Sequence, residues 1–382
     1  MEKISKNNLM FNGKYPIIHY ADLYKFAPIQ KKVFHYTNHI TSSPIPKNSL
    51  LFPGSDVTPD GLARTSTMDK ENIYAGGDII IANLSSTDIK SKFLTFEINY
   101  RKDRIIPLIT GTTIRHLHAK ELQSLPINYP DLSEQNKIGQ LLSKLDDTIT
   151  LLQRKKSKYE YLKTALFQNL FPEKNQVIPN LRRKEFNENW KKENLGKLVN
   201  LRGRIGFRGY KEEDLVDKNK GALVLSPADI KDNGRISNKN NKYISWYKYN
   251  ESPEIKVKKN DIIFTKTASI GKIAYLEALN GPTTINPQLV LITPIKISSF
   301  YLYLYLNTDV FKRIIKGISG GSSVQTISQE ELKEQNIYFP NNVEQEKINK
   351  IISNLDNIIV KLDTKIIDLN KFKQFLLQNM FI

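Results

Sequence analysis

The sequence "EQNKIGQLLSKLDDTITLLQRKKSKYEYLKTALFQNLF" occupies residues 134–171, and a related stretch, "EQEKINKIISNLDNIIVKLDTKIIDLNKFKQFLLQNMF", occupies residues 344–381. The two stretches align without a gap at an offset of 210 residues, and about 15 of 38 positions are identical. The same offset aligns "GTTIRHLHAKELQSLPINYP" (111–130) with "GSSVQTISQEELKEQNIYFP" (321–340). The chain is therefore a tandem duplication, and each copy has a globular segment followed by a long tail.

The two tails are predicted to be helices, because their apolar residues recur at spacings of three and four. Each helix would contain about 40 residues and be roughly 60 Å long. Two such helices in one chain most simply pack on each other as an antiparallel coiled coil; the alternative is that each pairs with another protein. Lys155 and Lys365 fall at equivalent seam positions and could set the register of the pairing. The predicted seam residues are Ile138, Leu141, Leu145, Leu152, Leu162, Ile348, Ile351, Leu355, Leu362 and Leu369.

The globular segments are predicted to mix helices and strands. Residues 76–84 and 258–267 are β-branched runs between turn residues and favour strands, whereas residues 300–315 favour a helix. The fold class is therefore α+β: two mixed α/β domains separated by two long antiparallel helices that form an intramolecular coiled coil. The predicted boundaries are 1–130 for the first domain, 131–171 for its helix, 172–190 for a linker, 191–340 for the second domain and 341–382 for the last helix.

Composition limits the class of partner. Among 382 residues, 57 Lys and Arg oppose 39 Asp and Glu, which gives a net charge of +18 and a pI of about 9.6. Such a charge points to an anionic partner, most often nucleic acid, although a lysine-rich composition with no binding role is the alternative. The chain has no cysteine, so disulfides and thiol catalysis are excluded. No apolar run is long enough to cross a membrane, and we expect a soluble cytoplasmic protein.

The sequence carries no recognisable catalytic signature. It has no G-x-x-x-x-G-K-[ST] loop for phosphate and no G-x-S-x-G for a nucleophilic serine. His116 and His118 alternate as on a strand, but no third metal ligand accompanies them. We therefore expect no catalytic residue, no metal site and no cofactor bound by this chain.

The duplicated arrangement resembles the specificity subunit of a type I restriction-modification enzyme. The likeness covers nearly the whole chain, and besides the tails it includes "NENWKKENLGKLV" (187–199), "GRIGFRGY" (203–210), "NDIIFTKTASIGKIA" (260–274) and "TINPQLVLI" (284–292). The resemblance implies a DNA-reading subunit with no catalytic centre. Each globular segment would be a target recognition domain that reads one half of a split, asymmetric site in double-stranded DNA. The helices would fix the spacing between the two halves.

The resemblance also implies protein partners. The coiled coil would dock two modification subunits, which bring S-adenosylmethionine and methylate adenine. A restriction subunit that uses ATP and Mg²⁺ could join them. No membrane contact is implied.

Candidate DNA-binding residues lie in loops rich in arginine, lysine and small polar residues. "LRGRIGFRGY" (201–210) has three arginines and no acid, and arginine pairs with phosphate oxygens or with guanine edges. In the second copy the candidates are Arg202, Arg204, Arg208, Lys266, Lys272, Ser322, Ser323 and Gln325. The loops "TKTASIGK" (265–272) and "SGGSSVQT" (319–326) of the second copy are matched in the first copy by "ANLSSTDIK" (82–90) and "GTTIRHL" (111–117). The candidates there are Ser85, Ser86, Lys90, Thr112, Thr113 and Arg115.

Two functions of other classes stay open from the sequence. The chain could be a coiled-coil scaffold that binds DNA without sequence preference. It could instead be a self-sufficient DNA methyltransferase whose active site is not recognisable. The first predicts equal binding to all DNA sequences, and the second predicts methyl transfer by the purified chain alone.

Overall fold

A computed structural model of the chain describes residues 9–25, 27–40, 42–173, 176–237, 239–267, 269–319 and 325–381. The chain divides into two compact units. Unit 1 consists of residues 1–156 and 361–382, and unit 2 consists of residues 157–360. Each unit thus contains one globular segment and parts of both predicted tail helices.

The first copy folds into short strands, short helices and one long helix. Its strands are β1 (Tyr15–Ile18), β2 (Ile29–Gln30), β3 (His35–Thr37), β4 (Ser49–Pro53), β5 (Ser55–Asp56), β6 (Thr67–Met68), β7 (Tyr74–Ala75), β8 (Ile79–Asn83) and β9 (Arg115–His116). Its helices are α1 (Asp22–Lys25), α2 (Pro59–Leu62), α3 (Ser91–Tyr100), α4 (Ala119–Gln123) and α5 (Leu132–Asn169).

The second copy has the same mixture with longer strands. Its strands are β10 (Lys191–Asn194), β11 (Val199–Gly203), β12 (Leu215–Val216), β13 (Gly221–Leu225), β14 (Lys242–Ser245), β15 (Ile262–Thr265), β16 (Ile273–Tyr275), β17 (Thr283–Ile285), β18 (Leu289–Pro294) and β19 (Asn336–Phe339). Its helices are α6 (Leu195–Leu198), α7 (Trp246–Glu251), α8 (Ser299–Leu306), α9 (Asp309–Ile318), α10 (Gln329–Lys333) and α11 (Asn342–Met380).

Unit 2 is built on two four-stranded sheets. One has the order β11-β18-β15-β16 and is antiparallel throughout, and the other has the order β12-β14-β13-β17. Helix α8 begins where the Ser298 hydroxyl accepts a hydrogen bond from the Tyr301 N–H, which satisfies one orphan donor of its first turn. The fully buried Tyr301 then packs among the apolar residues of β11, β18 and α11.

Unit 1 has smaller sheets around a comparable core. Strands β3, β1 and β7 form one sheet, and β4 pairs with β8 in antiparallel register from Ser49 with Asn83 to Pro53 with Ile79. Helix α3 follows β8 as α8 follows β18. Phe93 on α3 packs against Phe381, whose ring centroid lies 5.5 Å away. The C-terminal end of α11 therefore contributes to the core of unit 1.

The predicted antiparallel pairing of the tails is confirmed in each unit by interhelical ion pairs. In unit 1, Lys156 donates to Asp363 and Lys373 to Asp146, both over 2.5 Å. In unit 2, Lys163 on α5 donates to Asp356 on α11 over 2.6 Å. Lys155 and Lys365 are exposed, so they do not set the register as expected.

The residues of the predicted seam differ in burial. Ile138, Leu145, Ile348 and Leu355 are buried, and Leu152, Ile351, Leu362 and Leu369 are partly buried. Leu141 and Leu162, however, are 42% and 43% exposed. The adjacent Leu142 is fully buried instead of Leu141. The reason is that this part of α5 also packs on the globular core around Phe93, so the buried face is wider than a coiled-coil seam and is rotated toward α3.

A buried glutamine joins each long helix to its unit. Gln135 accepts a hydrogen bond from the Lys90 N–H and donates to the carbonyls of Asp88 and Pro130. Gln345, its equivalent in the repeat, accepts from the Ser298 N–H and donates to the Pro340 carbonyl. Both side chains are 1% exposed. The "EQ" that opens both repeated stretches therefore fixes the start of α3 or α8 against the long helix.

The segment predicted to be a linker is attached to unit 2 by a buried ion pair. Arg182 donates two 2.8 Å hydrogen bonds to the carboxylate of Glu344, and the Trp190 indole donates to the same carboxylate over 3.3 Å. These bonds raise the pKa of the Arg182 guanidinium. Glu134, the equivalent of Glu344, is exposed. Residues 172–190 thus form no helix or strand where they are described, but they are bonded to α11.

Candidate nucleic-acid interface

Several loops meet at one edge of the β11-β18-β15-β16 sheet, where β11 ends at Gly203, β15 ends at Thr265 and β18 begins at Leu289. We call this edge the strand-end edge of unit 2. Gly203 pairs with Val290 and Thr265 pairs with Leu289, so the three strand ends are neighbours. The loops 204–210 and 266–272 and the turn 286–288 therefore start or finish at this edge.

Main-chain hydrogen bonds continue the strand pairing for one residue beyond the strand-end edge. The Lys266 N–H donates to the Gln288 carbonyl over 3.0 Å, and the Ile327 N–H donates to the Lys266 carbonyl over 2.9 Å. Thr267 and Thr326 form an antiparallel bridge. Lys266 consequently lies between the turn that contains Gln288 and the segment that contains Gln325.

Three of the sequence-predicted residues, Lys266, Lys272 and Gln325, are described by the structure and lie on this edge or its loops. The Gln325 side chain is exposed and that of Lys266 is partly buried. Lys272 pairs with Asp232 over 2.9 Å, and this hydrogen bond lowers the pKa of the exposed Asp232 carboxyl. Such a surface pair is worth little and can exchange for a phosphate. Ser322 and Ser323 lie outside the described residues.

Arg204 departs from the expected role, because it is only 5% exposed. Its guanidinium donates to the Ile285 carbonyl over 3.0 Å, to the Thr284 hydroxyl over 3.1 Å and to the Arg208 carbonyl over 3.3 Å. The centre of the Tyr210 ring lies 5.6 Å from the guanidinium carbon of Arg204. Burial lowers the pKa of the Arg204 guanidinium. A side chain bonded and buried in this way holds the 204–210 loop to β17, so we assign Arg204 a structural role.

The other two arginines are bonded but remain partly exposed. Arg202 donates to the Glu254 carbonyl over 3.4 Å, and Arg208 donates to the Glu251 carbonyl over 3.2 Å. Arg208 also lies 3.7 Å from the Glu254 carboxylate. The arginine-rich loop therefore wraps residues 251–254, and this explains part of its composition without a ligand. Contact between DNA and Arg202 or Arg208 stays a prediction.

The first copy repeats the scaffold of the strand-end edge. The Gly54 N–H donates to the Asp78 carbonyl over 2.8 Å, and the Leu117 N–H donates to the Gly54 carbonyl over 3.1 Å. Ser55 pairs with His116. These bonds match those of unit 2, with Gly54 in place of Lys266 and Asp78 in place of Gln288. The corresponding edge of unit 1 is therefore formed by residues 54–56, 76–78 and 110–117.

This equivalence separates the candidate DNA-binding residues of the first copy into those on the strand-end edge of unit 1 and those away from it. Thr112, Thr113 and Arg115 lie on the strand-end edge of unit 1, where Thr112 and Thr113 are exposed. The loop is closed by a Thr110 and His116 bridge and needs Gly111, whose φ is +94° and where a Cβ would lie 2.4 Å from the Ile114 carbonyl oxygen.

Ser85, Ser86 and Lys90 do not lie on this edge, because they follow the opposite end of β8. Ser85 is exposed, Ser86 accepts a hydrogen bond from the Asp88 N–H, and Lys90 precedes α3. The alignment of "ANLSSTDIK" with the second copy's 265–272 loop is therefore wrong. The structural equivalent of that loop begins at Gly54.

Sequence reasoning did not single out Gln288, which the structure adds to the candidate residues. It is exposed at the strand-end edge, and the preceding Asn286 is buried beneath it. An Asn-Pro pair favours a turn, and that signal could have indicated an exposed residue directly after it.

In the parts of the chain that the structure describes, no group of three or more His, Asp or Glu side chains could hold a metal ion. No helix in those parts has the length and apolarity to cross a membrane.

A family model described as "Type I restriction modification DNA specificity domain" matches residues 1–161 and 187–371. The chain belongs to this family. The match covers each copy separately, so the chain contains the specificity domain twice.

Individual specificity subunits of type I restriction enzymes are also similar to this chain. The type I restriction enzyme EcoBI specificity subunit of Escherichia coli is 23% identical over 298 residues, which are 71% of this chain and 61% of that protein. The MjaIX specificity subunit of Methanocaldococcus jannaschii is 33% identical over 125 residues, or 32% of this chain and 28% of that protein. The crystal structure of the type I S subunit from M. genitalium superposes with a TM-score of 0.64 at 18% identity, covering 100% of this chain and 92% of that one. This specificity-domain chain thus has the fold of that subunit.

Proposed function

We propose that this chain is the DNA specificity subunit of a type I restriction-modification system and reads a bipartite site. Unit 1 would read one half-site and unit 2 the other. The proposal depends on one observation above all: the two units share the main-chain scaffold of the strand-end edge but carry unlike side chains on it. Gly54 and Asp78 stand in unit 1 where Lys266 and Gln288 stand in unit 2. One scaffold with two sets of side chains suits the reading of two different sequences.

Charge supports DNA as the ligand. The net charge of +18 favours association with the phosphate backbone, which supplies most sequence-independent affinity. Lys266, Lys272, Arg202 and Arg208 would supply phosphate contacts beside the polar groups of the strand-end edge. Phosphate contacts orient the protein on the duplex, and contacts to base edges provide the discrimination.

The remaining parts of the proposal come from the family. The chain would have no catalytic centre of its own and would act in the cytoplasm. It would dock two modification subunits along α5 and α11. Those subunits would bind S-adenosylmethionine and methylate adenine, and a restriction subunit with ATP and Mg²⁺ could join them.

The test is methylome sequencing of cells that carry the modification subunit with and without this chain. We expect a split motif with an unread gap, methylated only when the chain is present. A purified chain that methylates DNA alone would make it an enzyme and contradict the proposal. Methylation or binding without sequence preference would instead support the scaffold alternative.

A further inference from the structure

Gln288 occupies the centre of the strand-end edge of unit 2. Its side chain is exposed, and its main-chain carbonyl accepts the hydrogen bond from Lys266 that extends the sheet. Building on the proposed function, we infer that Gln288 reads the adenine of one A·T pair in the half-site recognised by unit 2.

Hydrogen bonds to Asn286 orient the Gln288 amide. The Gln288 N–H can only donate, and it donates to the Asn286 Oδ1 over 3.0 Å, which fixes the orientation of the Asn286 amide. The Asn286 Nδ2 then donates to the Gln288 Oε1 over 3.1 Å. The Gln288 Nε2 must therefore occupy the other position of its amide, and no described residue forms a hydrogen bond with it.

The Asn286 that imposes this orientation is itself fixed. It is 7% exposed, its N–H donates to the Leu225 carbonyl over 2.9 Å, and its carbonyl accepts from the Leu289 N–H over 3.2 Å. Asn286 thus links the ends of β13 and β18, one from each sheet of unit 2. A reading group supported by two sheets loses little rotamer entropy on binding, which favours affinity.

The hydrogen-bond donors and the acceptor that Gln288 exposes match those of adenine. The amide offers two Nε2 hydrogens and one remaining lone pair on Oε1. Adenine presents in the major groove an acceptor, N7, beside a donor, the N6 amino group. Gln288 can donate to N7 and accept from N6 at once, whereas guanine offers two acceptors and would leave Oε1 without a donor.

The equivalent position in unit 1 has a different side chain in a different arrangement. Asp78 accepts a hydrogen bond from the Ser55 hydroxyl, and its φ is +66°. The carboxylate therefore turns back onto its own unit. The inferred contact concerns the second half-site only.

The experiment uses the chain assembled with its modification subunit, and the motif comes from methylome sequencing. We expect Gln288→Ala to make one A·T pair of one half-site degenerate and to leave the other half-site unchanged. In binding measurements, replacing that A·T pair should cost the wild-type complex about 10-fold or more in affinity, and the Gln288→Ala complex should lose this discrimination. The matched control is Gln176→Ala in the segment 172–190, which should keep both half-sites.

Three results would overturn the inference. The motif could stay unchanged in Gln288→Ala, the degenerate position could be a G·C pair, or affinity could fall equally for every sequence. If Gln288→Ala abolishes methylation, the binding comparison still decides, and Gln288→Glu provides a second variant that cannot donate to N7. Failure of the proposed function is distinguishable, since the wild-type complex would then show no bipartite motif.

Discussion

Lys373 on α11 donates a hydrogen bond to Asp146 on α5 over 2.5 Å, and the duplication repeats this pair as Lys163 with Asp356. The lysines are equivalent at the offset of 210, and so are the aspartates. An antiparallel pair of helices from a duplicated sequence can satisfy the same pair twice, once in each unit. Opposite charges beside a helix seam set register and orientation.

The two ion pairs should differ in strength because their burial differs. The side chains of Lys373 and Asp146 are less exposed than those of Lys163 and Asp356, and Lys373 also lies 5.6 Å from the Phe96 ring. We expect Lys373→Met to lower the thermal midpoint of unfolding more than Lys163→Met does. The more exposed pair of Lys163 should contribute about 0.5 kcal/mol or less to the free energy of unfolding. Lys365→Met on the exposed face of α11 is the control. Equal losses for all three variants would contradict a specific role of the pair.

Arg182→Met should be more damaging than any of these changes. Among the described residues, it would leave the buried Glu344 carboxylate with the Trp190 indole as its one remaining side-chain donor. Loss of one partner of a buried pair costs about 3 kcal/mol or more. Urea unfolding measures the loss, and Arg183→Met, next to it and paired with Glu185 at the surface, should change the midpoint little. A similar midpoint for both variants would show that Glu344 finds other donors.

The sequence predicted the large elements because the signals for them are local or repeated. Residues 132–169 and 342–380 are helical as the apolar spacing and the duplication indicated. The position of the buried face was less predictable, since Leu142 and not Leu141 is buried. That choice depends on packing against α3, which a heptad pattern does not contain. The break between α8 and α9 at residues 307–308 was likewise absent from the single predicted helix.

The candidate site was harder to predict than the fold. Arginine-rich composition does not distinguish Arg204, which binds main-chain carbonyls, from an arginine that is open to a ligand. The equivalence of Gly54 with Lys266 is carried by hydrogen bonds and not by residue identity, so an alignment by sequence missed it. The turn that exposes Gln288 depends on Asn286, whose role appears only when β13 and β18 are brought together.

Arg204→Met should reduce stability without changing specificity. The change leaves the Ile285 carbonyl without the guanidinium donor and should cost about 1–3 kcal/mol, because unsatisfied buried groups carry their full desolvation penalty. The methylated motif should stay the same wherever the variant is folded. Urea midpoints and methylome sequencing check the two halves of this prediction. A changed motif with unchanged stability would reverse the assignment and make Arg204 a DNA contact.

Asp261 should give stability a measurable pH dependence. Burial raises the pKa of its carboxyl, although hydrogen bonds from the Lys258 N–H and the Thr293 hydroxyl oppose this. A raised folded pKa gives stability that is present below the unfolded value near 4 and is lost as the pH rises through the folded pKa. The stability of Asp261→Asn relative to wild type should therefore increase between pH 4 and pH 7.

The control for this pH effect is Asp232→Asn, because the pKa of the Asp232 carboxyl is shifted in the opposite direction. The pKa of Asp232 is lowered by Lys272, so its contribution is present above the unfolded value and is lost as the pH falls. Asp232→Asn should thus show a flat or slightly opposite trend, because the carboxylate is exposed. Urea midpoints from pH 4 to pH 7 for the three proteins decide the question. Parallel curves for Asp261→Asn and wild type would contradict the raised pKa.

Under the proposed function, the length of α5 and α11 should set the unread gap of the DNA site, because both helices contribute residues to both units. Seven residues inserted after Tyr159 and seven after Ile359 keep Lys156 opposite Asp363 and Lys163 opposite Asp356, and a heptad preserves the helix faces. The insertion adds about 10 Å of helix. We expect both half-sites to persist with a gap longer by about 3 base pairs, at roughly 3.4 Å per pair. Insertion in one helix alone shifts the register and should destabilise the chain. Methylome sequencing that returned altered half-sites with the original gap would contradict the role of the helices as a spacer.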